Sequence, residues 1–191
     1  METYKNLKKS TKIGLIVSAV LLLAVLVGNA ITVVQSIADK LPTPTVFSAI
    51  GVVMCVIIML YAFFGYKKPH GNLLKFAFLA FAVYLALQGM NEIAGRNRIL
   101  VGGLCVFTGL IIAYMAGRLH KIEKNKIALI VVGVLLLAKT VIVFATSHVV
   151  FEFLVIVGRI TPMILLTTLG FAYVARFEEH RAAGLADKAD A

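Results

Sequence analysis

Hydrophobic positions in this chain form long unbroken stretches. Residues 13–37, 46–66, 73–93, 99–117, 127–147 and 149–175 are dominated by Leu, Ile, Val, Ala and Phe, with short polar pieces between them. A helix needs about 20 apolar residues to cross roughly 30 Å of hydrocarbon, so each stretch is long enough for one crossing. The runs are too long for core strands and lack period-two alternation, which excludes a β-barrel. Backbone groups in lipid must bond within their own segment, which leaves helix as the state of these runs. The predicted fold class is an all-α membrane protein with six transmembrane helices. A basic N-terminus (1–12) precedes the bundle (13–175), and a polar tail (176–191) follows it. Pro42 and Pro44 predict a stiff turn over 39–45, the first connection.

Composition places the chain in the same class. Apolar residues make up 61% and charged residues 15%, yet the formal net charge is +10. The cations fall on alternate connections. One side carries Lys5, Lys8, Lys9 and Lys12, then Lys67, Lys68 and Lys75, then Arg118, Lys121, Lys124 and Lys126, then Arg176, Arg181 and Lys188. The other side carries Lys40, Arg96 and Arg98. The positive-inside rule then puts both termini in the cytoplasm of a bacterial-type plasma membrane. Four separate basic patches without interleaved aromatics fit topology and not nucleic-acid binding. They also fit attraction to the headgroups of membrane lipids. Ser36-Ile37-Ala38 loosely fits a signal-peptide cleavage site, but the apolar run before it is longer than a signal core.

Residues 12–24 (KIGLIVSAVLLLA) and 126–138 (KIALIVVGVLLLA) match at ten of thirteen positions. Tyr61, Tyr114 and Tyr173 each lie shortly before a basic cluster on the cytoplasmic side. The repeat suggests three sequential helical hairpins; the tyrosines also fit simple interface anchors. Gly109, Ala113 and Gly117, Ala24 and Gly28, and Ala82 and Ala86 form small-residue stripes that let helices approach closely. They serve packing within the chain, and leave open a homo-oligomer or an energising membrane partner.

Two cations fall inside spans, Lys139 and Arg159. Ionisable groups at membrane depth are costly and mark candidate sites. At 1.5 Å per residue, Lys139 and Asn29 lie roughly 12 Å from the external end, Arg159 roughly 15 Å and Gln88 roughly 7 Å. Glu152 and Glu92 lie nearer the mouth. A Lys139–Glu152 pair would leave Arg159 facing Asn29 and Gln88, and a guanidinium suits a carboxylate or phosphate. Pro162 also frees a backbone carbonyl near Gly158. Two arrangements fit. One is an external pocket for a small anionic solute, built from Arg159, Lys139, Glu152, Asn29, Gln88 and Glu92. The other is a closed structural network of the same residues. Glu92, Asn91, Arg96 and Arg98 read as a solvated helix end that can also rim the pocket.

Catalytic motifs are missing. His70, His120 and His180 fall at the cytoplasmic interface and His148 in the last external loop, with no HExxH, GxSxG or phosphate-binding glycine loop. Cys55 and Cys105 stand alone and read as buried apolar groups. Glu178-Glu179-His180-Arg181 reads as a solvated charge run. No enzyme activity, cofactor or metal is expected.

The six-span plan with both termini inside resembles the substrate-binding subunits of energy-coupling-factor vitamin transporters. That resemblance implies ligand capture in the outer half of the bundle and docking on an energising module. Those subunits carry an AxxxA stripe on helix one, for which this chain has only Ala24 and Gly28, placed late. The three-hairpin pattern is similar to the small HdeD-like membrane proteins, though this chain has no Trp. Neither likeness carries a site residue by residue. Two functions are therefore expected: binding or transport of a small anionic solute, or a non-transporting structural, stress-response or partner-stabilising role.

Overall fold

The computed structural model describes residues 7–40, 42–61, 71–119, 122–146 and 153–189. It contains six helices: α1 (Lys9–Ala38), α2 (Pro42–Leu60), α3 (Gly71–Arg96), α4 (Ile99–Ala116), α5 (Ile122–Thr146) and α6 (Phe153–Ala189). Among the described residues there is no strand. Five helices are long and apolar enough to cross a membrane, whereas Thr45–Leu60 of α2 is a shorter apolar helix. Five such helices suggest a membrane-spanning protein. The outer surface fits: Val20, Leu110 and Ile130 are each more than 60% exposed. A helix that is apolar on every side belongs in a protein core or in lipid.

Helices adjacent in sequence pack against each other, and α6 closes the ring onto α1. The α1–α2 and α3–α4 hairpins are closely packed, whereas α6 makes more of its contacts with α1 than with α5. The third hairpin is thus not a self-contained unit. Small residues set the closest approaches. A Cβ on Gly102 would stand 2.5 Å from the Gly89 carbonyl oxygen, and one on Gly109 2.9 Å from that of Ala82. The stripes on the third and fourth spans therefore serve the α3–α4 contact. Gly51 of α2 admits Asn29 of α1 in the same way, with a Cβ there 2.9 Å from Asn29 Oδ1.

The internal repeat also has a tertiary meaning. Ser18, Leu22, Val25 and Asn29 are buried on α1, and Val132, Leu136, Lys139 and Val143 are buried on α5. These positions correspond one to one under the repeat offset, so both copies turn the same face inward. The apolar core fills the half of the bundle near the start of α1. Leu22, Ile58, Phe78, Phe81, Leu85, Leu165 and Leu169 meet there, fully buried.

Several local expectations change. The 39–45 turn is shorter than its prolines imply, because α2 already begins at Pro42. Proline suits the first helical position, where its fixed φ is helical and no partner for its nitrogen is needed. Lys40 adopts φ 55° to make the turn. At the other end, α6 continues past residue 175 to Ala189, through most of the expected tail. Ala, Arg, Glu and Leu in that stretch are good helix formers. Tyr114 lies at the surface under the Arg118 guanidinium, 4.4 Å from its ring centre, as an anchor should. Tyr61 and Tyr173 are instead buried. The Tyr173 hydroxyl donates to Leu119 O at 2.7 Å and accepts from Asn125 Nδ2 at 3.0 Å, while its ring stands edge-on to Phe78. Residues 62–66, His70, His120 and His148 lie outside the described residues.

Glu178 is not part of a merely solvated run. Its carboxylate accepts from the Lys8 backbone nitrogen and the Thr11 hydroxyl, each at 3.0 Å. An anion there satisfies donors that the first turn of α1 leaves open and meets the positive end of the helix dipole. The contact also shows that the start of α1 and this part of α6 share one end of the bundle. Glu178→Ala is expected to cost about 1 kcal/mol. The check is faster amide hydrogen exchange confined to residues 8–12, with the remainder of α1 unchanged.

Candidate functional site

The inward positions of the other half of the bundle are polar, so close apolar packing stops there. A cavity of about 810 Å³ takes its place, bounded by α1, α2, α3, α5 and α6. It extends along α1 from Asn29 to Asp39, ten residues or roughly 15 Å. Five of the six residues expected from the sequence line it: Asn29, Gln88, Glu92, Lys139 and Arg159. Glu152 and the expected Lys139–Glu152 pair lie outside the described residues.

The lining differs in chemistry from helix to helix. Of the lining helices, α1 presents Asn29, Thr32 and Ser36, and α2 presents Thr43 and Ser48. These are hydroxyl and amide groups, with Asp39 at the rim. From α3, α5, α6 and the α3–α4 turn come Lys139, Arg159, Arg96 and Arg98, together with Glu92 and the Thr140 hydroxyl. Four cations therefore face two carboxylates around one cavity.

Each group is held by its own helix packing. Asn29 donates from Nδ2 to Val25 O at 2.9 Å and to Thr161 Oγ1 at 3.1 Å, tying α1 to α6 at the residue before Pro162. Gln88 donates to the Tyr84 hydroxyl at 2.8 Å, and its Oε1 lies 3.5 Å from Lys139 Nζ. Tyr84 stacks on Phe81, which anchors this chain of polar groups on the apolar core. The Arg159 guanidinium stands 5.1 Å from the Phe144 ring centre. A ring face so placed attracts a cation and fixes its plane. Glu92 accepts from Arg96 at 3.2 Å and lies 3.9 Å from Arg98, so this exposed helix end is also a charged rim of the cavity.

Sharing a cavity does not mean bonding within it. Asn29 bonds to Thr161 and Gln88 bonds to Tyr84, so neither hydrogen-bonds Arg159 as the sequence suggested. Helix rotation decides this, because residues at equal depth need not point at one another. The hydroxyl wall was missed entirely. Asn29, Thr32 and Ser36 recur at helical spacing, as do Tyr84, Gln88, Asn91 and Gly95. That periodicity is the signal that would have found them.

Among the described residues no group of three or more His, Cys, Asp or Glu side chains comes together to hold a metal ion. Cys55 and Cys105 are buried free thiols. Comparison of the chain with protein-family models, with curated proteins and with solved structures finds no match.

Proposed function

We propose that this is a multi-pass plasma-membrane protein, with both termini cytoplasmic, that binds a small polar anionic solute in the external half of its bundle as a step in transport. The observation that carries this reading is that Lys139 and Arg159, the two cations within the apolar spans, line one cavity with a cationic excess around it. Its volume of about 810 Å³ falls in the range of small-molecule sites, roughly 300–1,000 Å³. A purely structural network would close over the two cations, so the open cavity favours binding. The sidedness of the basic loops supports the orientation.

Calorimetric titration of the purified full chain with inorganic phosphate, succinate and citrate tests the reading. The wild type is expected to bind at least one of these probes. Arg159→Gln and Lys139→Gln are each expected to weaken that binding by about tenfold or more, the scale of one charge-assisted hydrogen bond. Unchanged helix content by circular dichroism in both variants assigns the loss to the site. Full binding by both variants overturns it, and so does absence of binding to these three probes and to the two phosphate esters compared below.

A further inference from the structure

The polarity of the cavity says more about the solute than its charge. Ser36 and Ser48 are both more than nine-tenths buried and both line the cavity. Thr32 donates to Gly28 O at 2.9 Å, which leaves its oxygen lone pairs available to the cavity. Thr32 and Ser48 stand three residues above Asn29 and Gly51, the pair at which α1 and α2 cross, and so at one level of the wall. Ser36 lies one turn higher. Buried hydroxyls are costly unless bonded, and a group of them suits a solute that supplies donors and acceptors of its own. The cations are on other helices, Lys139 on α5, Arg159 on α6, and Arg96 and Arg98 where α3 gives way to α4. A solute spanning the cavity therefore has an anionic end and a hydroxylated end. The formal excess of two positive charges around the cavity matches a phosphate ester, which carries between one and two negative charges at neutral pH.

Resting on the binding function proposed above, we infer that the ligand is a hydroxylated phosphate ester of the polyol phosphate kind. Its phosphate lies against Lys139 and Arg159, and its hydroxyl groups lie against Thr32, Ser36 and Ser48. The same chemistry occurs free in solution and in the headgroup of phosphatidylglycerol.

The test compares sn-glycerol 3-phosphate with propyl phosphate, which has the same charge and nearly the same size but no hydroxyls. Titration uses the full chain in phosphatidylcholine nanodiscs. Glycerol phosphate is expected to bind at least about tenfold more tightly, since a site built to bond a hydroxyl discriminates against its absence. The Ser36→Ala/Ser48→Ala double variant is expected to bring the two ligands within about twofold of each other while retaining propyl phosphate affinity. Arg159→Gln should weaken both. Equal binding of the two ligands by the wild type overturns the hydroxylated-ester assignment and leaves the anion-binding function standing. Failure of both ligands together with phosphate, succinate and citrate removes the function itself. Nanodiscs containing phosphatidylglycerol separate the two sources: suppressed glycerol phosphate binding there identifies the lipid headgroup, and unchanged binding identifies a free solute. Either result supports the shared chemistry.

Discussion

Gly102→Val is expected to abolish accumulation of folded protein. A Cβ at position 102 would stand 2.5 Å from the Gly89 carbonyl oxygen, far inside any real contact. That oxygen belongs to the backbone of α3, so no side-chain rotation relieves the clash. The helices must separate, and α3–α4 is the most extensive helix pair in the bundle. Overpacking costs about 1–3 kcal/mol even where neighbours can shift. Here the shift would also open the contacts at Gly109 and Ala82, so the expected loss is at the upper end of that range or beyond. The measurement is the monodisperse fraction on size-exclusion chromatography after mild detergent extraction, with the melting temperature of what remains. Gly103→Val is the control. A Cβ there meets nothing within 4 Å, and the variant should extract and melt like the wild type.

Gly158→Phe should produce the opposite pairing of effects: unchanged stability and lost binding. Gly158 lines the cavity beside Arg159, and a Cβ there also meets nothing within 4 Å. The added ring has open space on the cavity side to occupy. Replacing a helical glycine removes backbone freedom from the unfolded chain, a stabilising change of roughly 0.5–1 kcal/mol for alanine. Gly158→Ala is therefore expected to melt slightly higher and to bind nearly normally. Gly158→Phe should melt within a few degrees of wild type while its affinity for the anionic probes falls by about a hundredfold, the scale of about 2.7 kcal/mol. Retained affinity in Gly158→Phe would show that the cavity is not where the probes bind.

These two glycines show why sequence and structure answer different questions. Both sit in apolar helical runs, and nothing local separates them. One is closed by a facing backbone and the other opens on empty space. The same division runs through the polar residues. Lys139 and Arg159 were identifiable because an ionisable group within an apolar run is rare and costly. Glu178 resembled its hydrophilic neighbours, and only the docking of α6 beside the start of α1 made it a cap. Tyr61 and Tyr173 likewise stood at the spacing of membrane anchors until helix rotation turned them into the core. Thr32, Ser36 and Ser48 are common in membrane helices, where Ser and Thr can bond their own backbone. Their grouping became significant only when they lined one cavity with the cations.

The long apolar runs determined by themselves that this chain is helical and suited to a membrane. Helix length and backbone hydrogen bonding in lipid are properties of each segment alone. The basic connections likewise carry a sidedness that is additive along the chain. Which polar groups share a cavity depends instead on the rotation and register of each helix against its neighbours. Those are set by a few close approaches, Gly51 on Asn29 and Gly102 on Gly89, between residues distant in sequence or joined across a turn. The cavity, its lining and the partners of Gln88 and Asn29 therefore belong to the tertiary structure, because no single segment contains the information that places them.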